Sequence, residues 1–285
     1  MILDEQTNKI FLSKETRKQH PRITQRLLDA LDAKGITWQL LHHTNDSWCR
    51  DYMPIQVSEN KFIQYRYFPD YLNTDKNRGY ITDPTLALEE LGVETVKTNI
   101  ILDGGNVVRC NDKVIMVDKV FSENPDYGQS ALVAELERLF ESEIVFLPWD
   151  ERYEKYGHAD GIVRYVSQNK VLMTNYHDFD GKKADGFLQI LSKHFEVQTL
   201  EYNTPEPHKN SWAYINFLQT NKAIFIPAFN REEDEQALAQ IEKSFPSYVG
   251  NIVPVPLKGI VGEGGALNCI TWNVYLRSES EAQLD

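Results

Sequence analysis

Five copies of one short pattern constrain the fold of this 285-residue chain more than any other feature of its sequence. In each copy, a polar turn that contains Asn and Lys precedes an apolar run rich in β-forming residues. The turns are Asn8-Lys9, Asn60-Lys61, Asn111-Asp112-Lys113, Asn169-Lys170 and Asn221-Lys222. Successive turns are separated by about 50 to 60 residues, a period typical of repeated supersecondary units. One such turn would mean little, but five at regular intervals predict five similar structural units.

Each unit shows the same internal order of elements. A strand follows the turn, then a stretch with helical apolar spacing, then a second strand, and then a strand that leads into the next turn. The predicted helices lie near residues 22–34, 85–92, 130–141, 186–194 and 233–245. The run CITWNVY near the C-terminus is the partner expected for the strand after the first turn. We therefore predict an α/β fold of five ββαβ repeats in a closed pseudo-five-fold ring, a single domain over residues 1–285 with no open sheet edge.

Residues with unusual chemistry occupy equivalent positions in these units. Asp51, Asp103 and Asp160 lie at similar distances before three of the turns, Asn216 precedes the next, and Cys269 opens the corresponding strand of the last unit. Equivalent positions in a ring lie at the same end of its axis. We therefore expect these side chains to converge on one central pocket.

The set of residues indicates nucleophilic chemistry on a cationic carbon centre. A cysteine such as Cys269 becomes a strong nucleophile beside a base, and His158 titrates near neutral pH and can move protons. Carboxylates match the planar fork of donors that a guanidinium presents. The loop GEGGALN, which contains Gly264 and Gly265, is expected to let a substrate approach the sulfur of Cys269 closely.

The motifs RDYMP, DGGN, GHADG and GEGG followed by NCIT together resemble the guanidine-modifying superfamily with the pentein fold. Within it, the chain is most similar to the branch of agmatine deiminases and Porphyromonas-type peptidylarginine deiminases, over nearly its whole length. The resemblance implies a hydrolase that converts a guanidine, most simply agmatine, to a ureido product and ammonia through a covalent thiouronium intermediate. Peptidyl arginine and free arginine remain alternative substrates, and amidino transfer to an amine remains an alternative reaction.

The resemblance also implies roles for individual residues. Cys269 corresponds to the nucleophile, His158 to the general acid and base, and Asp51 and Asp160 to the carboxylates that hold the guanidinium. The remaining residues of the expected substrate site are Trp48, Arg50, Asp103, Asn216, Gly264 and Gly265. The chain departs from the agmatine deiminase pattern at two positions, with Asp103 in place of Glu and Asn268 in place of His.

Composition excludes several other classes of function. The chain carries 30 Lys and Arg against 42 Asp and Glu, a net charge of −12, so a nucleic acid or an anionic membrane is not an expected partner. No apolar run approaches the roughly 20 residues that a transmembrane helix needs, and the polar N-terminus is not typical of a signal peptide. The three cysteines form no CxxC pair, which favours a reduced, cytoplasmic setting. The sequence leaves open whether the protein forms a homo-oligomer.

Two further interpretations compete with the deiminase. His158 and Asp160 could form half of a metal site, but the sequence supplies no third ligand at a regular spacing. The run GEGG lacks the Lys and Ser or Thr of a phosphate-binding loop. We therefore predict no metal and no cofactor. A pentein fold can also serve a binding protein without catalysis, because fold alone does not establish function.

Overall fold

The computed structural model of the protein describes residues 1–204 and 208–277. The strands in this part of the chain form five sheets of three strands each. Each sheet is built around the strand that follows one of the five polar turns, so the prediction of five similar units is confirmed.

The helices and strands follow one another in a repeated order. The first unit contains β1 (Lys9–Ser13), α1 (Lys14–Gln19), α2 (Pro21–Ala33) and β2 (Thr37–Leu41). The second contains α3 (Cys49–Tyr52), β3 (Ile55–Ser58), β4 (Lys61–Arg66), α4 (Thr85–Leu91) and β5 (Val96–Ile101). The third contains β6 (Val108–Cys110), β7 (Lys113–Val117), α5 (Lys119–Glu123), α6 (Gln129–Phe140) and β8 (Glu143–Leu147). The fourth contains β9 (Val163–Ser167), β10 (Lys170–Met173), α7 (Gly181–Leu191) and β11 (Glu196–Thr199). The fifth contains β12 (Leu218–Gln219), β13 (Ile224–Ala228), α8 (Glu232–Ser244) and β14 (Ile252–Pro256), and β15 (Thr271–Val274) follows it.

Short 3-10 helices connect many of these elements. They span Asp4–Gln6, Arg78–Tyr80, Gly104–Asn106, Ala159–Gly161, Tyr176–Asp178, Ser211–Ile215, Pro246–Tyr248 and Ile260–Glu263. In the described part of the chain, no helix combines the length and the apolar character that crossing a membrane requires.

The pairing of strands is the same in all five sheets. The central strand pairs antiparallel with one neighbour and parallel with the strand that follows the long helix of the unit, as β7 does with β6 and β8. The last strand, β15, pairs antiparallel with β1, as predicted. The expectation of no open sheet edge was wrong, because each parallel strand ends its own sheet and the chain then leaves for the next unit.

The helices form where sequence signals and burial agree. Pro21 occupies the first position of α2, where its missing N–H costs nothing. Ile23, Leu27 and Leu31 are buried along one face of this helix, and Gly35 follows its end at a φ of 60°. The signals were strong enough for the predicted and observed bounds of this helix to differ by one residue at each end.

Each long helix lies between the sheet of its own unit and the sheet of the preceding one. Phe187 of α7 shares a buried cluster with Val171 of its own unit and Ile115 of the third unit. Leu27 of α2 likewise shares a cluster with Val255 of β14, which belongs to the fifth unit. The first unit therefore packs against the fifth in the same way as the later units pack against their predecessors.

Short helical turns precede the first strand of each sheet, and they carry the predicted site residues. Asp51 lies in α3, directly before β3, and Asp160 lies in the 3-10 helix before β9. Asp103 and Asn216 lie at the ends of the 3-10 helices before β6 and β12, and Cys269 lies just before β15. The prediction that these residues occupy equivalent positions is confirmed.

Candidate active site

A cavity of about 340 Å³ opens at the end of the sheets where these turns meet. Its walls combine acidic and aromatic side chains. The lining residues are Asp46, Trp48, Asp51, Asp70, Tyr71, Leu72, Asn77, Trp149, Lys155, Tyr156, His158, Glu263, Gly264 and Cys269. Five of these lining residues were predicted from the sequence to belong to the site, and the structure brings them together around one cavity. They are Trp48, Asp51, His158, Gly264 and Cys269.

Cys269 lines the cavity, although the residue is only 4% exposed. Its Sγ lies 3.3 Å from Oδ1 of Asn216 and 3.7 Å from Oδ2 of Asp160. The backbone N–H of Cys269 also donates to Oδ1 of Asn216, at 3.4 Å. Burial, together with the charges of Asp160 and Asp51, raises the pKa of the thiol well above its ordinary value. A cation placed beside the sulfur would oppose both effects and favour the thiolate.

His158 is held by two carboxylates. Its Nε2 lies 2.9 Å from Oδ2 of Asp103, and the same oxygen accepts a hydrogen bond from the hydroxyl of Tyr71 at 2.8 Å. Its Nδ1 lies 3.8 Å from Oδ1 of Asp51. Burial by itself would lower the pKa of His158, but the combined attraction of Asp51, Asp103 and Glu154 raises it well above its ordinary value. His158 is therefore suited to act as an acid at neutral pH.

Asp51 is 4% exposed and accepts a hydrogen bond from the backbone N–H of Gly105 at 3.1 Å. Burial and the nearby charges of Asp103 and Asp160 raise the pKa of Asp51 to about 8, although His158 partly opposes this shift. Carboxylates outnumber cationic groups in this cluster, so a bound cation would relieve their mutual repulsion. The electrostatics thus suit a cationic ligand.

Glycines in two of the motifs permit close packing around the site. A Cβ on Gly105 would lie 2.7 Å from Oδ1 of Asp51 and 2.8 Å from Nδ1 of His158. A Cβ on Gly265 would overlap the ring of Trp48, so only glycine lets the loop pass this close to the indole. Glycine is therefore needed in DGGN and GEGG because a larger side chain would not fit, in addition to the flexibility expected from the sequence.

The remaining predicted residues do not line the cavity. Asp103, Asp160 and Asn216 are 2%, 2% and 0% exposed. Asp103 contacts His158, and Asp160 and Asn216 contact the sulfur of Cys269, which itself lines the cavity. Arg50 was expected in the substrate site, but its guanidinium donates to Asn268 and Asn273 instead. Successive residues of the short helix α3 point in different directions, so Asp51 faces the cavity while Arg50 faces the interior.

Sequence reasoning missed most of the outer wall. Tyr71 and Tyr156 pack edge to face with ring centroids 4.9 Å apart, and Asp46, Asp70 and Glu263 add carboxylates. Glu263 is part of the GEGG motif, and Asp46 and Tyr156 each lie within a few residues of another motif, so their positions were a usable signal. Asp70 and Tyr71 come from the long connection after β4, which has no counterpart of similar length between the central strand and the long helix in the described parts of the other units.

The described residues contain no group of three or more His, Cys, Asp or Glu side chains arranged to hold a metal ion. His158 contacts Asp103, and Asp160 accepts a hydrogen bond from Asn268, so each has a protein partner. This geometry gives the metal interpretation of His158 and Asp160 no support.

Comparisons with known proteins place these observations in context. The sequence model of Porphyromonas-type peptidyl-arginine deiminases matches residues 2–274. A Lactococcus lactis protein provisionally named agmatine deiminase is 35% identical over 279 residues, which cover 80% of this chain and 74% of the relative. The agmatine deiminase structure from Enterococcus faecalis matches with a TM-score of 0.75 at 18% identity, over 98% of this chain and 96% of that chain. An amidinotransferase structure from Microseira wollei matches with a TM-score of 0.64 at 12% identity, over 96% and 95% of the two chains. The mixed α/β fold is therefore that of pentein proteins.

Proposed function

We propose that this chain, which belongs to the Porphyromonas-type peptidyl-arginine deiminases, converts agmatine to a ureido product and ammonia. The family consists of hydrolases that act on the C–N bonds of amidine groups, and the name of the Lactococcus lactis relative supports agmatine as the substrate. The observation that carries this proposal is the position of Cys269. Of the three cysteines, all within the described residues, Cys269 lines the cavity. His158 and Asp51 line the same cavity, and Oδ2 of Asp160 lies 3.7 Å from the sulfur.

The proposed reaction begins with the guanidinium bound between Asp51 and Asp160. The positive charge of the substrate favours the thiolate of Cys269, whose Sγ attacks the guanidinium carbon. His158 donates a proton to one amino group, which leaves as ammonia, and a covalent thiouronium remains on the sulfur. The same His158 then removes a proton from water as its oxygen attacks that carbon. The C–S bond breaks, and the ureido product and the thiolate are released.

The charges of the cavity support agmatine, which has an amine at the far end, over free arginine. Asp46, Asp70 and Glu263 line the cavity, and Lys155 is the one lysine among its described lining residues. Burial and the neighbouring carboxylates of Glu263 and Glu15 raise the pKa of Asp46 to about 6, an arrangement that a second cationic group would stabilise.

No arginine among the described residues lines the cavity, so an arginine clamp for the carboxylate of free arginine has no support. Three arginines outside the cavity lining have other contacts. Arg66 stacks on Phe68, Arg78 donates to Asn73, and Arg164 pairs with Asp4.

A substrate panel tests the proposal directly. Ureido product and ammonia are measured with agmatine, arginine and a peptide containing arginine at matched concentrations. We expect kcat/KM for agmatine to exceed that for arginine by at least about tenfold, since one charged contact can account for such a factor. Preference for either arginine substrate would reject agmatine. Turnover without ammonia release would indicate amidino transfer, and binding without turnover would indicate a non-enzymatic protein.

Asp46→Asn tests the recognition of the far amine. The variant should lose about tenfold in kcat/KM with agmatine and much less with butylguanidine, which lacks that amine. The matched control is Asp83→Asn, an exposed position outside the cavity that should leave both rates unchanged. Equal losses with both guanidines would show that Asp46 does not bind the tail.

The proposal extends to the whole chain. The pairing of β15 with β1 and the packing of α2 on β14 support closure of the five units into a ring that forms one domain. The three free cysteines support a cytoplasmic location, where a reactive thiol stays reduced.

A further inference from the structure

Asn268, the residue before Cys269, lies between one side chain that only donates hydrogen bonds and one that accepts them. Nη2 of Arg50 donates to Oδ1 of Asn268 at 3.2 Å. Nδ2 of Asn268 donates to Oδ2 of Asp160 at 2.6 Å. The three residues are 6%, 3% and 2% exposed, so water does not substitute for these contacts.

This arrangement fixes which way the amide of Asn268 faces. A guanidinium has no acceptor and an ionised carboxylate has no donor. A flipped amide would set its NH₂ group against Arg50 and its oxygen against Asp160, and neither hydrogen bond could form. The orientation is therefore set by the two charged neighbours together.

Arg50 is itself held in place on the side away from the cavity. Its Nη2 also donates to Oδ1 of Asn273 at 2.6 Å, and its Nε donates to the backbone oxygen of Asn268 at 3.3 Å. The backbone N–H of Arg50 donates to the carbonyl oxygen of Cys269 at 3.2 Å. Arg50 thus contacts the segment of the nucleophile through both its backbone and its side chain.

We propose that Arg50 and Asn268 are positioning residues that hold the carboxylate of Asp160 against the reaction centre. The oxygen that accepts from Asn268 is the one that lies 3.7 Å from Sγ of Cys269, so its place next to the sulfur depends on this contact. A guanidinium carbon attacked by Sγ comes within reach of the same carboxylate. The inference rests on the proposed function, in which Asp160 binds the cationic group. Arg50 does not contact the substrate but acts on Asp160 through Asn268.

Asn268→Leu and Asn273→Leu form a matched pair for the test. Each removes one acceptor of Arg50 with a neutral side chain of similar size, but only Asn268 contacts Asp160. The measurement is the rate at which Cys269 is alkylated by chloroacetamidine, which is cationic, divided by the rate with neutral chloroacetamide. In both reactions the thiolate displaces chloride and forms a thioether, which mass spectrometry locates on Cys269.

We expect the ratio to fall at least about tenfold in Asn268→Leu and to stay within about threefold of wild type in Asn273→Leu. Arg50→Met should lower the ratio to an intermediate value, because the amide is then free to turn. Asn268→Ala replaces Asn268→Leu if the larger side chain prevents folding. The proposal would be overturned by a wild-type ratio in a folded Asn268 variant, or by an equal fall of the ratio in Asn273→Leu. A wild-type ratio in Arg50→Met would show that Arg50 does not help to position Asp160.

Failure of the proposed function gives a different result. Wild-type protein that yields no ureido product with any guanidine would reject the deiminase activity. The alkylation ratio reports on Asp160 and Cys269 without turnover, so it still decides whether Asn268 positions the carboxylate.

Discussion

Asp51 and Asp103 are buried carboxylates of the same cluster, but Asp51 lines the cavity and Asp103 contacts His158. Asp51 lines the cavity and keeps its second oxygen available, whereas Asp103 is 2% exposed and its Oδ2 contacts both His158 and Tyr71. The sequence suggested a substrate contact for Asp103. The geometry instead makes Asp103 the group that supports the protonated form of His158.

Asp103→Asn should therefore change how activity depends on pH. His158 is the proposed acid for ammonia departure, so activity is lost as pH rises through its pKa. Asp103 helps to raise that pKa, and removing its charge should lower it. We expect the alkaline limb of kcat/KM to move to lower pH.

The measurement is a profile of kcat/KM against pH for Asp103→Asn, for wild type and for Asp112→Asn. Asp112 lies in an exposed turn, and its substitution should leave the profile in place. An unchanged alkaline limb in Asp103→Asn would contradict the proposed role.

Cys269→Ala should abolish turnover, because no other cysteine lines the described cavity wall. The loss of an acting nucleophile costs at least about a thousandfold in kcat. Cys49→Ala and Cys110→Ala are the matched controls. Burial raises the pKa of Cys49 to about 12, and both thiols contact backbone carbonyls rather than the cavity. Retention of about a tenth of the activity in Cys269→Ala would reject the covalent mechanism.

At the scale of elements, the loop before β15 determines how closely the aromatic wall approaches the nucleophile. Gly264 has a φ of 106°, and a Cβ there would lie 2.6 Å from the ring of Tyr156. The hydroxyl of Tyr156 donates to the backbone oxygen of Glu263 at 3.3 Å. The loop and the segment that carries His158 therefore support each other across the cavity.

Gly265→Ala should reduce kcat/KM by about tenfold or more. The added Cβ would overlap Trp48 and lie 3.0 Å from Cβ of Cys269, so the indole or the nucleophile must shift. Misplacement of a reacting group by about 1 Å can cost 10²-fold in rate. Gly262→Ala is the control in the same loop, because its Cβ would meet nothing within 4 Å. Wild-type kinetics in Gly265→Ala would show that the wall tolerates this movement.

In the molecule as a whole, the N-terminal segment connects separate units through ion pairs and a hydrogen bond. Asp4 pairs with Arg109 and Arg164 and accepts a hydrogen bond from Asn273. These partners belong to β6, β9 and β15, so one carboxylate connects three sheets. Arg109 and Arg164 are buried and would lose their carboxylate partner without it.

Asp4→Asn should lower the free energy of unfolding at pH 7 by about 2 kcal/mol or more, which is the usual effect of removing a charge-assisted hydrogen bond from a buried cluster. Although burial opposes it, the attraction of the three arginines nearby lowers the pKa of Asp4 below its ordinary value of 3.8. A lowered folded-state pKa means stability that is present above pH 3.8 and is lost as pH falls toward the folded-state value.

The difference between Asp4→Asn and wild type should therefore be smaller at pH 3 than at pH 7. Urea unfolding at the two pH values measures it, with Asp112→Asn as an exposed control that should change stability by less than about 0.5 kcal/mol. An equal difference at both pH values would contradict the role assigned to the charge of Asp4.

The five units, the pairing of the last strand with the first, and the residues that precede each sheet could all be predicted from the sequence. These features follow from local turn chemistry and from apolar periodicity, which repeat along the chain and so reinforce one another. Asp51 and Cys269 could be predicted to meet because equivalent backbone positions in such units lie at the same end, whereas His158 was predicted from its chemistry and from the family resemblance.

The directions in which individual side chains point could not be predicted in this way, because they depend on contacts between distant segments. Arg50 and Asp51 are neighbours in α3, yet one faces Asn268 and the other faces the cavity. Asp103 contacts His158, and Tyr71, from the long connection after β4, donates to the same oxygen. A repeat encodes the path of the backbone, but the partner of a buried polar group depends on what distant segments place beside it.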